Sequence, residues 1–324
     1  MYNKKNLIIY VSSRNNYDML DGEVLRNINP DGFEIINIDD KSSSDEIKKG
    51  KRICDENNIL FLDNKSRGVQ WATQTLIDYV SENRPECKWI FCFQHDCYPI
   101  TEDFFNRFSK LDETGLIDNF GTVGFNRLDM GKSTPRAYDK WKSGEKPMGH
   151  IGLAHLSVLN TFTRNIQPNR HSWLNEKDEW KVPHCLEIIC WTAFAINVNL
   201  WKKYVKPTDE YHFHLWAPDV SMQFLSNNIY NLVLPNLYLM NKQELKKKYG
   251  INPNSAHGSK DGNEYHFGHY HPSHEAWEKR WGWKYDDPTT IPNVKEKWKG
   301  TLIEEFINHN IKNGPLKQFD LGDY

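Results

Sequence analysis

Residues 89–99, WIFCFQHDCYP, open with five consecutive apolar residues, Trp89 to Phe93. Five residues is strand length, and apolar side chains on both faces predict a strand buried on both sides, as in the middle of a parallel sheet. The run ends in Gln94, His95, Asp96 and Pro99, and Thr101 precedes Glu102 and Asp103 as a helix cap. An aspartate projected from the end of a central strand is well placed to hold a hard divalent cation, which takes one or two carboxylates plus phosphate oxygens of a substrate. Its plainer reading is a turn residue.

Outward from this strand the same rhythm recurs. Leu7–Val11 predicts a first strand, with a loop and a helix through Leu25 after it. Phe33–Ile38 (FEIINI) predicts a second strand, Ile59–Leu62 a third and Gly121–Phe125 (GTVGF) a fifth. Val69, Ala72, Leu76 and Val80 recur at three and four residues and so share one helix face. Strands alternating with amphipathic helices specify an α/β sheet. From Asn126 to Val182 apolar runs are few, the pattern of long loops over a site. Regular structure is expected again over Glu187–Val198, in a helix around Val220–Leu225 and in a strand at Tyr230–Leu234. A basic helix (QELKKKYG) follows, then a polar loop. Leu302, Ile303, Phe306, Ile307 and Ile311 form an apolar stripe on a terminal helix that packs back on the main body.

The 324 residues carry 41 Lys+Arg against 43 Asp+Glu, a near-neutral balance that argues against a nucleic-acid clamp. The apolar stretch after MYNKK is too short for a signal-peptide core. CLEIICWTAFAI, interrupted by Glu187, falls short of the roughly 20 apolar residues of a membrane span. A cytoplasmic protein with no integral membrane segment is expected. Cys54, Cys87, Cys92, Cys97, Cys185 and Cys190 show no paired spacing and read as reduced, buried thiols. Of 12 Trp, 10 lie at or beyond position 141, and 12 of 13 His lie at or beyond position 150, so the second half is expected to do something the first does not.

Three further segments carry possible chemistry. In FEIINIDDKSSSDE a strand runs into Asp39 and Asp40. At the carboxyl end of a parallel strand such acids accept hydrogen bonds from a nucleobase or ribose, or they merely end the strand and start a helix. In HLWAPDVSMQFL, Asp219 opens an amphipathic helix, either as an ordinary N-terminal acid or as a general base. The third segment holds His257, His266, His269, His271 and His274. If extended, it would point His269 and His271 the same way, toward a metal whose other ligand is Asp96, or it is a solvated loop.

In order and spacing these segments resemble inverting family 2 glycosyltransferases, over roughly Leu7 to Trp283. The strand and polar loop LIIYVSSRNN, the paired acids of EIINIDDKSSSD and Asn64, Gly68 and Ala72 of DNKSRGVQWAT match that family in turn. Gln94, His95 and Asp96 stand for its Asp-x-Asp motif, and Pro218 and Asp219 for its later acidic pair. The first acid of each motif is replaced, by Gln94 and Pro218, and Lys41 stands where Gly is common.

The resemblance implies a GT-A fold, a Rossmann-like mixed sheet flanked by helices with a C-terminal extension. Residues 1–245 would form the glycosyltransferase domain, with 1–125 binding nucleotide and 126–245 serving acceptor and catalysis. Residues 246–324 would be the extension, with its His-rich loop and packing helix. It implies transfer of a sugar, with inversion, from a UDP- or GDP-sugar, UDP favoured, to a hydroxyl of a carbohydrate acceptor. Ser12, Asp39, Asp40, Asn64, Lys65, Arg67, Gln94, His95 and Asp96 would contact the donor. Mn²⁺ or Mg²⁺ would be held by Asp96 with His269 or His271, Asp219 would be the base, and Trp191 and Glu187 would meet the acceptor. A non-catalytic carbohydrate-binding protein on the same fold and a His-rich metallohydrolase are the alternatives.

Overall fold

The computed structural model describes residues 4–21, 25–28, 32–94, 97–129, 151–152, 181–189, 193–211, 215–241, 270–285, 288–309 and 314–324. Among these, ten strands form one mixed sheet: β1 (Leu7–Ser13), β2 (Glu34–Asp39), β3 (Leu60–Asp63), β4 (Trp89–Phe93), β5 (Cys97–Pro99), β6 (Thr122–Asp129), β7 (Ile151–Gly152), β8 (His184–Leu186), β9 (Ala193–Asn197) and β10 (Asn231–Asn241). Their order is β3-β2-β1-β4-β9-β6-β10-β5, with β7 on β6 and β8 on β10. The first four neighbours run parallel, β9 is antiparallel to both β4 and β6, and β6 and β10 are parallel. Register aligns Ser13 with Asp39 and Asp39 with Asp63, so three strands end side by side.

Period two along the strands builds two cores. Ile8, Tyr10, Ile36, Ile38, Ile90 and Cys92 face one side, against Val69, Ala72, Leu76 and Val80 of α4 (Val69–Asn83). Leu7, Ile9, Val11, Phe91 and Phe93 face the other, where Phe104, Phe105 and Phe108 of α5 (Phe104–Glu113) close an aromatic cluster. The Phe91 ring sits 4.7 Å edge-on from Phe108 and 5.6 Å stacked from Phe125. Burying each such ring contributes roughly 1.5–3 kcal/mol.

The strands expected from the sequence are present, with β10 and β6 longer than their apolar cores suggested. The helix expected through Leu25 is two short ones, α1 (Tyr17–Met19) and α2 (Leu25–Ile28). The serine turn after Asp40 leads into a full helix, α3 (Ser44–Glu56), with Ser43 as its cap. Thr101 is not a cap: α5 starts after Asp103, and Thr101 Oγ1 instead accepts from Tyr238 N at 2.7 Å, fastening the β5–α5 link to β10. His271 and His274 belong to a helix, α8 (Tyr270–Trp281), and not to an extended stretch, while His269 lies outside the described residues. The remaining helices are α6 (Val198–Tyr204), α7 (Trp216–Ser226) and α9 (Leu302–Asn308), with a 3₁₀ segment over Pro288–Trp298.

Chain beyond 269 joins the core of the sheet. Trp277, Trp281, Trp283, Leu302, Ile303 and Phe306 pack in the same cluster as Ile8 and Leu76. The expected stripe is therefore present through Ile307, which is partly buried, while Ile311 lies outside the described residues. The C-terminal end returns along β8, with Cys185 N donating to Lys317 O at 3.0 Å and Phe319 N to Pro183 O at 2.8 Å.

Candidate functional site

The aligned ends of β1, β2 and β3 bring four polar side chains together. Asp39 and Asp40 are both 2% exposed, yet they are used differently. Asp39 Oδ2 accepts from Tyr17 Oη at 2.8 Å and Oδ1 from Ser42 N at 3.0 Å, so both its oxygens serve the fold. Tyr17 reaches Asp39 only because position 50 is glycine: a Cβ there would lie 2.5 Å from the ring. Asn37 links the same cluster, accepting from Ser13 Oγ and donating to Tyr17 Oη.

Asp40 Oδ1 accepts from Asn64 Nδ2 at 2.8 Å and from Gly68 N at 2.7 Å. Both of these fall on Oδ1, and no hydrogen bond to Oδ2 is seen among the described residues. Burial raises the Asp40 pKa above the usual carboxylate range, opposed by those two hydrogen bonds and by the charges of Arg14 and Arg67. Ser12 Oγ, buried one strand away, has no hydrogen-bond partner of normal geometry among the described residues. Asn64 is fixed in turn by Gly68 O at 3.0 Å and by Thr75 Oγ1, which donates to its Oδ1 at 3.2 Å. The result is a rigid acceptor flanked by two guanidinium charges, a chemistry suited to a nucleoside with attached phosphates.

Lys41 adopts φ +60°, the left-handed region, which explains why glycine suits that position. Lys65 does not face this cluster as a lone cation; its Nζ lies 2.6 Å from Asp78 on α4. Gln94 ends β4 beside them, with Cys97 N donating to its carbonyl at 3.1 Å. His95, Asp96, His269 and Trp191 lie outside the described residues, as does the side chain of His271. No three His, Cys, Asp or Glu side chains converge as a metal site among the described residues. The chemistry of the chain fits a divalent ion in one respect: in sequence Asp96 follows β4, a central strand whose parallel neighbour β1 ends at Ser13, and a hard cation takes one or two carboxylates with the rest of its ligands from a phosphate-bearing substrate.

Asp219, on α7, is fully buried. Its Oδ2 accepts from Gln70 Nε2 at 3.0 Å, Gln223 Nε2 at 2.8 Å and Arg280 Nη1 at 3.0 Å, and its Oδ1 from Trp281 Nε1 at 2.9 Å. Burial raises its pKa, and the four donors oppose the rise. Among the described residues both oxygens of Asp219 are thus engaged by protein donors. The preceding Leu215 has φ +64° while wholly buried, a strained backbone at the start of α7. Glu187 is 4% exposed and sits under the start of β10, where Asn231 Nδ2 donates to its carbonyl at 3.1 Å. Sequence spacing missed Gln70, Gln223, Arg280 and Trp281, since nothing local signals that residues so far apart share one carboxylate.

No family model matches the chain, and no curated protein matches it. Among solved structures, GalNAc-T7 with UDP, GalNAc and Mn²⁺ is similar at TM-score 0.50 and 11% identity, over 95% of this chain and 57% of that one. The mannosyltransferase PcManGT from Pyrobaculum calidifontis, with GDP-Man and Mn²⁺, is similar at TM-score 0.45 and 10% identity, over 73% and 56%. TarS residues 1–349 from S. aureus is similar at TM-score 0.41 and 12% identity, over 93% and 82%. The chain thus spans a little over half the length of the first two. With its β3-β2-β1-β4 parallel half, its antiparallel insertion and its helices on both faces, it carries the GT-A glycosyltransferase fold.

Proposed function

We propose that the chain is a glycosyltransferase that moves a sugar from a nucleotide-diphospho-sugar, a UDP-sugar by preference, to a hydroxyl of a carbohydrate acceptor. The observation that carries this reading is Asp40, held rigid at the ends of three aligned parallel strands with one oxygen unengaged among the described residues, between Arg14 and Arg67. A carboxylate of that kind accepts from the donor N–H groups of a base or from ribose hydroxyls, and the two guanidinium groups favour the phosphates. UDP and Mn²⁺ in the GalNAc-T7 structure are the corresponding choices here.

A divalent ion, held by Asp96, would neutralise charge developing on the leaving diphosphate. Ser12 Oγ and Asn64 would orient the nucleoside beside Asp40. An inverting transfer also needs a base within reach of the acceptor hydroxyl. Asp219 meets that requirement only with Arg280 and Trp281 drawn away from it. The closure of Asp219 favours a second reading, sugar binding without turnover on the same fold.

Calorimetry with UDP, GDP and their sugar conjugates, with and without Mn²⁺, tests the first claim. Binding of a nucleotide sugar, lost in Asp40→Asn and weakened in Asp96→Ala, is expected. If no nucleotide sugar binds, the reading fails. Turnover of donor in the presence of glycan acceptors then separates transfer from binding alone.

A further inference from the structure

We propose that Asp219 is a buried tie that fastens helix α8 to the sheet-flanking helices α4 and α7, and that any transfer depends on it only through that docking. Four donors engage both oxygens of this wholly buried carboxylate, three on Oδ2 and one on Oδ1. They come from three helices: Gln70 from α4, Gln223 from α7, Arg280 and Trp281 from α8.

Each donor is itself secured. Gln70 Nε2 also donates to Trp216 O at 3.1 Å, while its Oε1 accepts from Thr208 N at 3.1 Å. Gln223 Oε1 accepts from Lys206 N at 2.7 Å, and Arg280 Nη2 donates to Lys206 O at 3.2 Å. The carbonyls of Arg280 and Trp281 accept from Lys297 Nζ at 2.8 Å and Trp298 Nε1 at 3.1 Å. One carboxylate therefore joins α4, the chain at 206–208, α7, α8 and the 3₁₀ segment. The same network holds Thr208 and Trp216 through a single glutamine, and so fixes the chain at 208 and at the start of α7.

A base must keep an oxygen for its substrate; a tie must use both oxygens on protein. The geometry is that of a tie. It also makes the arginine its partner, since Asp219 and Arg280 enter the buried site as a pair of opposite charges, one wholly covered and the other a quarter exposed.

The test uses the full chain in four forms: wild type, Asp219→Asn, Arg280→Met and the double variant. Hydrogen exchange across Tyr270–Trp281 is expected to speed at least tenfold in either single variant while β1–β4 stays protected. The double variant, which removes both charges together, is expected to regain melting temperature and exchange protection relative to Arg280→Met alone, and any transfer activity with them. Unchanged exchange in α8, together with a hundredfold or greater loss of transfer in Asp219→Asn that the double variant does not rescue, would overturn the proposal. Should Asp219→Asn not fold, Trp281→Phe removes one donor and is expected to loosen α8 alone; unaltered exchange there overturns the tie equally. The exchange measurements need no donor or acceptor, so they stand whether or not the chain proves to transfer sugar.

Discussion

Arg280 Nη1 lies 3.0 Å from Asp219 Oδ2, an ion pair spanning 61 residues in which the carboxylate is wholly buried. Removing one member strands the other charge in the core, which typically costs 3–5 kcal/mol. Arg280→Met is expected to lower unfolding free energy by about that range, and Asp219→Leu/Arg280→Met by much less. Chemical denaturation of the three proteins checks it; equal losses in the single and double variants would contradict the pairing.

The two neighbouring acids at the end of β2 are expected to separate by phenotype. Asp39→Asn breaks the cluster with Tyr17 and Ser42 and should lower stability by about 1–3 kcal/mol. Asp40→Asn should instead weaken nucleotide affinity about tenfold or more. Titration calorimetry and melting curves on both variants distinguish them, and the reverse assignment would show that Asp39 faces the ligand.

Gly50→Ala places a methyl against the Tyr17 ring, which is packed between α3 and β2. Overpacking of this kind costs roughly 1–3 kcal/mol. The loss should shrink in the Tyr17→Phe background if part of it comes from the broken Tyr17–Asp39 bond. A Gly50→Ala protein as stable as wild type would rule the contact out.

His184 is wholly buried, and burial pushes its pKa down from 6.5 to about 4. The unfolded chain therefore takes up this proton first as pH falls. The neutral histidine's contribution is intact above pH 6.5 and is lost progressively toward pH 4, a penalty on the order of 3 kcal/mol. The raised pKa values of Asp40 and Asp219 act in the opposite sense, favouring the folded state as pH falls. The difference between wild type and His184→Gln isolates the histidine: the variant should show a flatter stability profile between pH 6.5 and 4.

Burial pushes the thiols of Cys54, Cys87 and Cys185 up to about 12. They should resist alkylation at pH 8 in the native state and react on unfolding. Peptide mass mapping after brief iodoacetamide treatment reads this directly; rapid native labelling at any of the three would mean that its cover opens readily.

Much of the fold was legible because it rests on local repetition. Five apolar residues at Trp89–Phe93 and the three-and-four spacing of Val69, Ala72, Leu76 and Val80 are sufficient to specify a buried strand and its covering helix. Elsewhere local pattern misled. The His-rich segment reads as a loop because Pro272, Ser273 and the histidines favour none of the usual helix patterns, yet Trp277 and Trp281 bury one face of α8 against α7 and the 3₁₀ segment. Of the late tryptophans, Trp201, Trp216, Trp277, Trp281 and Trp283 are buried in the core, while Trp191 and the tryptophans from Trp141 to Trp180 lie outside the described residues.

By itself the sequence determined the α/β alternation and the strand ends at which Ser12, Asp39, Asp40 and Asn64 stand. Those features depend on residues a few positions apart, where periodicity and strand-end chemistry act. Only the tertiary structure decided which acid does what. Asp39 is consumed by Tyr17 and Ser42, Asp40 keeps an oxygen, and Asp219 is closed by donors from three helices. A carboxylate's role depends on which of its lone pairs the folded chain leaves open, and residues up to 149 positions away fill them.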